Sequence, residues 1–127
     1  MKASVVGFVA GFFLVASAAA HALLGWPQVR EALKGFQVEP QLVGALAAAW
    51  YFGSISMLGF GLILLSQARC KLAGKPVQLG PTWTIAALYA AFGTVAFILR
   101  DYNPHFLLFV CTGAVVAIFG YLAGRND

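Results

Sequence analysis

Leu99-Arg100-Asp101-Tyr102-Asn103-Pro104-His105-Phe106 separates two long uncharged runs, and its chemistry fixes how they are joined. Asn103 has the short polar side chain of a helix N-cap, and Pro104 suits the first helical position, where the missing N–H has no intrahelical partner to lose. A helix therefore starts at about residue 104. The preceding run ends at Arg100, leaving a turn of only a few residues, and two helices joined so tightly form an antiparallel hairpin.

The same reading extends outward. Between charged residues lie four uncharged stretches, 3–29, 40–68, 76–99 and 102–124. Crossing the roughly 30 Å hydrocarbon core takes about 20 apolar helical residues, so each stretch is long enough. Spanning segments are helices or closed barrels, and barrel strands would be about 10 residues of alternating polarity. These runs are apolar on every face. Pro27, Pro40, Pro76, Pro81 and Pro104 all fall at or between their ends, as helix interiors require. The expected fold is all-α, one domain over 1–127, with helices at about 4–26, 41–67, 82–100 and 104–123 in an up-down antiparallel bundle.

Composition agrees. The chain has 127 residues, 61% hydrophobic and 9% charged, whereas a soluble surface needs about 25–35% charged residues. Disorder needs low hydrophobicity and high charge. Both classes are excluded. The net charge of +4 calls for no nucleic acid, because retention of basic residues on one side and attraction to anionic lipid account for it. With four spans, Lys2, Arg69, Lys71, Lys75 and Arg125 share one side, opposed only by Asp127. Arg30, Lys34 and Arg100 share the other with Glu31, Glu39 and Asp101. Both termini are accordingly expected in the cytoplasm, at a bacterial inner membrane. Lys2, the apolar run and the small residues 16–20 also carry features of a secretory signal, but Val5 to Trp26 exceeds the 7–15 residues of a signal core. An uncleaved first helix is the reading adopted.

In the first loop, Trp26, Val29, Leu33 and Phe36 recur at near-helical spacing among polar residues. A short amphipathic helix lying in the interface is expected there, with Pro27 at its start and Gly35 at its stop. Helix association in lipid depends on close packing of small residues. Candidate seams are Gly7 with Gly11, Gly120 with Gly124, the face Trp50, Gly53, Ser54, Met57 and Gly61, and the face Tyr89, Gly93, Ala96 and Arg100. Each glycine pair could alternatively serve a homo-oligomer.

Candidate chemistry is sparse. Cys70 and Cys111 form no CxxC pair. The histidines are more informative, since an ionisable group within a span is costly and marks a functional candidate. His21 and His105 are both expected near the outer face. With Trp50, Tyr51, Ser54, Arg100 and Asp101 they make a candidate ligand-binding pocket for a haem, a quinone headgroup or a metal held by His21 and His105. The competing reading has His21 bonding a neighbouring helix, Asn103 and His105 capping, and the Arg100–Asp101 pair sitting among lipid headgroups. Size and span count resemble the small multidrug resistance transporters, which carry a membrane-embedded glutamate in the first helix. Here no Asp or Glu occupies a span, which argues against proton-coupled export. No set of acids, bases and nucleophiles assembles a reaction. The leading expectation is a non-enzymatic structural or accessory subunit packing against itself or a larger membrane complex. A haem-, quinone- or metal-binding module and a minimal small-molecule transporter are the alternatives.

Overall fold

The computed structural model describes residues 2–125. Asp127, counted above among the terminal charges, lies outside them. The described chain is all-helical. Helix α1 covers Lys2–Ala20, continues through a π-helical turn at His21–Gly25, and leads into α2, Trp26–Leu33. Helix α3 covers Pro40–Leu72 and α4 covers Leu79–Leu99. A 3₁₀ turn at Pro104–Phe106 opens into α5, Leu107–Gly124. Four helical runs are long and apolar enough to cross a membrane: Lys2–Leu33, Pro40–Leu72, Leu79–Leu99 and Pro104–Gly124. The protein is thus built as a small integral membrane protein.

The boundaries differ from the hydropathy reading in three places. The first helix does not stop at residue 26. The π turn carries it into α2 without a loop, so the amphipathic segment is a continuation of the first helix rather than a separate element, and Pro27 sits at its first turn. The wider turn links Trp26 N–H to the carbonyl of His21, five residues back. Helix α3 runs five residues past the expected 67. Charge marks where lipid ends, not where a helix ends, and Gln67 to Leu72 remain helical beyond the apolar run. What stops α3 is Gly74, in the left-handed region at φ 68°. There Lys75 N–H bonds the Cys70 carbonyl at 2.9 Å and Gly74 N–H bonds Lys71 at 3.2 Å, the paired bonds of a Schellman cap. Helix α4 starts three residues early, at Leu79, because proline is tolerated throughout a first turn. Gln78 N–H, just outside it, donates to Gln67 Oε1 at 2.9 Å.

Two compact units divide the chain: residues 1–11 with 63–127, and residues 12–62. In the first, α4 and α5 run antiparallel with a register visible in their glycines. A Cβ on Gly93 would meet Val110, one on Gly113 would meet Ala86 and Ala90, one on Gly120 would meet Thr82 and Trp83, and one on Gly124 would meet Leu79. As one position rises its partner falls in step. The start of α1 joins this unit, where a Cβ on Gly7 would lie 2.7 Å from the Phe119 ring and 2.9 Å from Ala68 Cβ. Phe119, Leu64, Ile85 and Val116 are its largest fully buried apolar side chains. Lys71 Nζ closes one end, donating to the carbonyls of Ala123 and Arg125 at 3.3 and 3.2 Å.

The turn between α4 and α5 has the chemistry its sequence implies. Asn103 Oδ1 accepts from His105 N–H at 3.0 Å and Pro104 takes the first helical position. Asp101 and Tyr102 adopt left-handed backbone at φ 53° and 60°, and Tyr102 N–H reaches the Phe97 carbonyl at 2.8 Å.

In the second unit the end of α1, α2 and the first part of α3 pack together. Here too the pairing is antiparallel: a Cβ on Gly25 would lie 2.7 Å from the Trp50 ring, and one on Gly53 would lie 3.8 Å from His21.

Candidate functional site

His21 stands at the first position of the π turn. Turns of this kind are often found at functional positions, because the wider ring loosens the helical ladder and frees carbonyls for outside donors. The His21 carbonyl is used in that way. It accepts Trp26 N–H from within the helix and Trp50 Nε1–H from α3 at 2.7 Å.

The His21 side chain is held by α3 as well. Its ring stacks on the Trp50 indole with centroids 4.1 Å apart and planes within 4°. Its Nδ1 lies 2.9 Å from Ser54 Oγ. Ser54 Oγ donates its one proton to the Trp50 carbonyl at 3.1 Å, so the Nδ1 contact is a bond from imidazole N–H to the serine oxygen. That tautomer leaves Nε2 with its lone pair, and no hydrogen bond reaches it among the described residues. Trp50 and Ser54 are one helical turn apart, which puts indole, carbonyl and hydroxyl on one face of α3.

This cluster has a nucleophile and a base at the distance of a catalytic pair, yet its chemistry is that of a clasp. Ser54 is 5% exposed, its proton is donated to the Trp50 carbonyl and not to the imidazole, and among the described residues no carboxylate bonds the ring. Acyl transfer needs an accessible oxygen and a base positioned to take its proton. What remains chemically available is Nε2, which can accept one hydrogen bond or ligate one metal.

Tyr51, the neighbour of Trp50, is half-exposed and packs on Trp26 with centroids 6.3 Å apart. Trp26 is itself buried and lies 6.2 Å from Trp50. An aromatic group therefore surrounds the end of α1 in this unit. The sequence places Trp26 on the apolar side of the amphipathic segment, with no partner on α3. Its spacing of one turn to Arg30 and two turns to Lys34, the C-cap of α2, could have flagged a lined face.

Arg100, Asp101 and His105 belong to the other unit. All three are exposed, and neither Arg100 nor Asp101 forms an ion pair among the described residues. The His105 ring makes edge contacts with Phe106 and Phe109 at 5.6 and 6.3 Å. The seven candidates thus separate into His21, Trp50, Tyr51 and Ser54 in one unit and a turn-bound trio in the other. No group of three or more His, Cys, Asp or Glu side chains suited to a metal ion occurs among the described residues.

The seam residues also separate. Gly7, Gly11, Gly61, Gly93 and Gly120 are buried, Gly53 and Met57 half-buried, and Gly124 exposed. No family model matches the chain, and neither a curated protein nor a solved structure does.

Proposed function

We propose that this protein is a non-enzymatic structural or accessory subunit of a membrane. Its four spans would run up and down as one membrane domain, with both termini on the cytoplasmic side of a bacterial inner membrane and α2 lying toward the outer interface. The supporting observation is the uneven coverage of its spans. In its most apolar window α3 is 17% buried within the chain, against 39% for the first helical run. Helices in lipid gain by close packing rather than by hiding apolar surface, and α3 presents small residues on its uncovered surface. A Cβ on Gly44 or Gly59 would meet nothing within 4 Å. Such a surface suits a helix of a larger complex or of a second copy, with lipid covering the remainder.

Purification in mild detergent followed by native mass spectrometry tests this reading. A stoichiometric partner or a homo-oligomer, weakened by Gly44→Leu with Gly59→Leu, is the expected result. A monomer carrying lipid alone from several detergents would overturn it.

A second reading rests on His21 Nε2, the lone pair left by the Ser54 bond. It could accept a quinol hydroxyl or ligate a haem or metal, His105 being the other imidazole in the chain. An absorbance scan of the purified protein separates the readings: a Soret band, or quinone extracted in stoichiometric amount and lost in His21→Ala, supports the second. The third class, a minimal transporter, would show counterflow of a small molecule in liposomes.

A further inference from the structure

On the second unit a groove of about 440 Å³ is lined by Trp26, Pro27, Arg30, Glu31, Lys34 and Tyr51. Four of these fall at positions i, i+1, i+4 and i+5 of α2 and Lys34, its C-cap, follows at i+8, so α2 and its cap supply one side of the groove, while Tyr51 of α3 supplies the other. We propose that this groove binds the phosphodiester headgroup of an anionic glycerophospholipid.

Charge, depth and shape argue for it together. Glu31 and Lys34 pair at 2.6 Å, which neutralises both and leaves Arg30 as a cation with no ion-pair partner among the described residues. The lining therefore carries a single uncompensated positive charge, which a monoanionic phosphodiester balances. A guanidinium presents a planar fork of donors that matches two phosphate oxygens. A lysine would offer a point charge instead.

Depth follows from helix geometry. The apolar run of the first helix closes at Trp26, and Arg30 lies four residues on, about 6 Å along the axis at 1.5 Å per residue. Headgroup layers are about 5–8 Å thick on each side of the hydrocarbon core. Arg30 thus falls at phosphate level, with Trp26 and Pro27 facing the glycerol and first methylenes below it. Tyr51 and Trp26 are the amphipathic rings that favour this boundary. A groove open on one side fits a headgroup, which keeps part of its hydration. This inference is independent of the subunit reading and stands whether or not a protein partner exists.

Native mass spectrometry of the full chain in detergent, titrated with phosphatidylglycerol, phosphatidylcholine or inorganic phosphate, tests it. One basic residue near the surface contributes about 1 kcal/mol toward anionic lipid, which is about fivefold in affinity. The wild type should retain one phosphatidylglycerol about fivefold more strongly than phosphatidylcholine. Arg30→Gln should abolish that preference and Glu31→Gln, which releases Lys34, should raise it. Arg69→Gln, on a different helix and in the other unit, should leave it unchanged. Circular dichroism confirms that each variant is folded. Equal retention of both lipids by the wild type, or equal losses in Arg30→Gln and Arg69→Gln, overturns the proposal. So does displacement of phosphatidylglycerol by millimolar inorganic phosphate, since the site would then take free phosphate rather than lipid.

Discussion

Replacing Gly113 by alanine should pry α5 from α4. The new Cβ would lie 2.8 Å from the Ala86 carbonyl oxygen and 2.9 Å from the Ala90 nitrogen. Both are backbone atoms of a helix, so no side chain can swing aside. The contact with Ala86 must open from 2.8 Å to about 3.4 Å, the lower edge of ordinary van der Waals distance. Overpacking of this kind costs about 1–3 kcal/mol, while alanine recovers up to about 1 kcal/mol of helix propensity lost at glycine. With that recovery the net loss should be about 0–2 kcal/mol, which is about 1–3 kcal/mol below an alanine placed on an open part of a helix. Gly93→Ala meets the Val110 nitrogen at 2.7 Å and should cost a similar amount. Because both alanines force the same separation, the double variant should lose less than the sum by at least about 0.5 kcal/mol. Gly59→Ala, with open space around it, should be unchanged or more stable by up to about 1 kcal/mol. The assay is reversible unfolding of the full chain in mixed micelles by increasing dodecyl sulfate, followed by far-ultraviolet circular dichroism. If Gly113→Ala proved as stable as Gly59→Ala, or if the two interface losses simply added, the close-approach argument would be refuted.

Three further outcomes follow from the local geometry. Trp50→Phe removes the indole donor to the His21 carbonyl but leaves the Trp26 N–H bond in place, so the same unfolding assay should register a loss of about 0.5–1.5 kcal/mol. A loss above 3 kcal/mol would mean the indole does more than clasp. Gly25→Ala pushes a methyl to within 2.7 Å of the Trp50 ring and should unstack it from His21, visible as a shift in tryptophan fluorescence that Gly53→Ala does not produce. Asp101→Gly relaxes a left-handed residue at φ 53°; left-handed backbone costs an L-residue about 1–2 kcal/mol, less for aspartate. Unfolding should show unchanged or slightly raised stability, and a clear drop would assign the carboxylate a partner.

How far the fold was legible depended on whether the signal was local. The start of the last span was readable because Asn103 and Pro104 act within their own turn. The end of α3 was misplaced because its stop, Gly74, is separate from the point where the lipid-compatible residues run out. The π turn left no mark in the hydropathy, and Pro27 looked like a fresh helix start when it opens a continuation. At the candidate site, His21 and the Trp50 face were visible as residue types at helical spacing. That Nδ1 would meet Ser54, or that Arg100, Asp101 and His105 would belong to another unit, was not.

By itself the sequence determined that this chain carries four membrane-length helices and where the tight turn before the last of them falls. Those properties sum over residues, since transfer into lipid and the tolerance for proline depend on each side chain with little reference to its neighbours. Only the tertiary structure decided which glycines are indispensable, which atom of His21 is spent and which remains, and that α2 and Tyr51 enclose a charged groove. Those are distances between helices. Periodicity assigns a residue to a face, but a face has no partner until a second helix approaches it at a particular register.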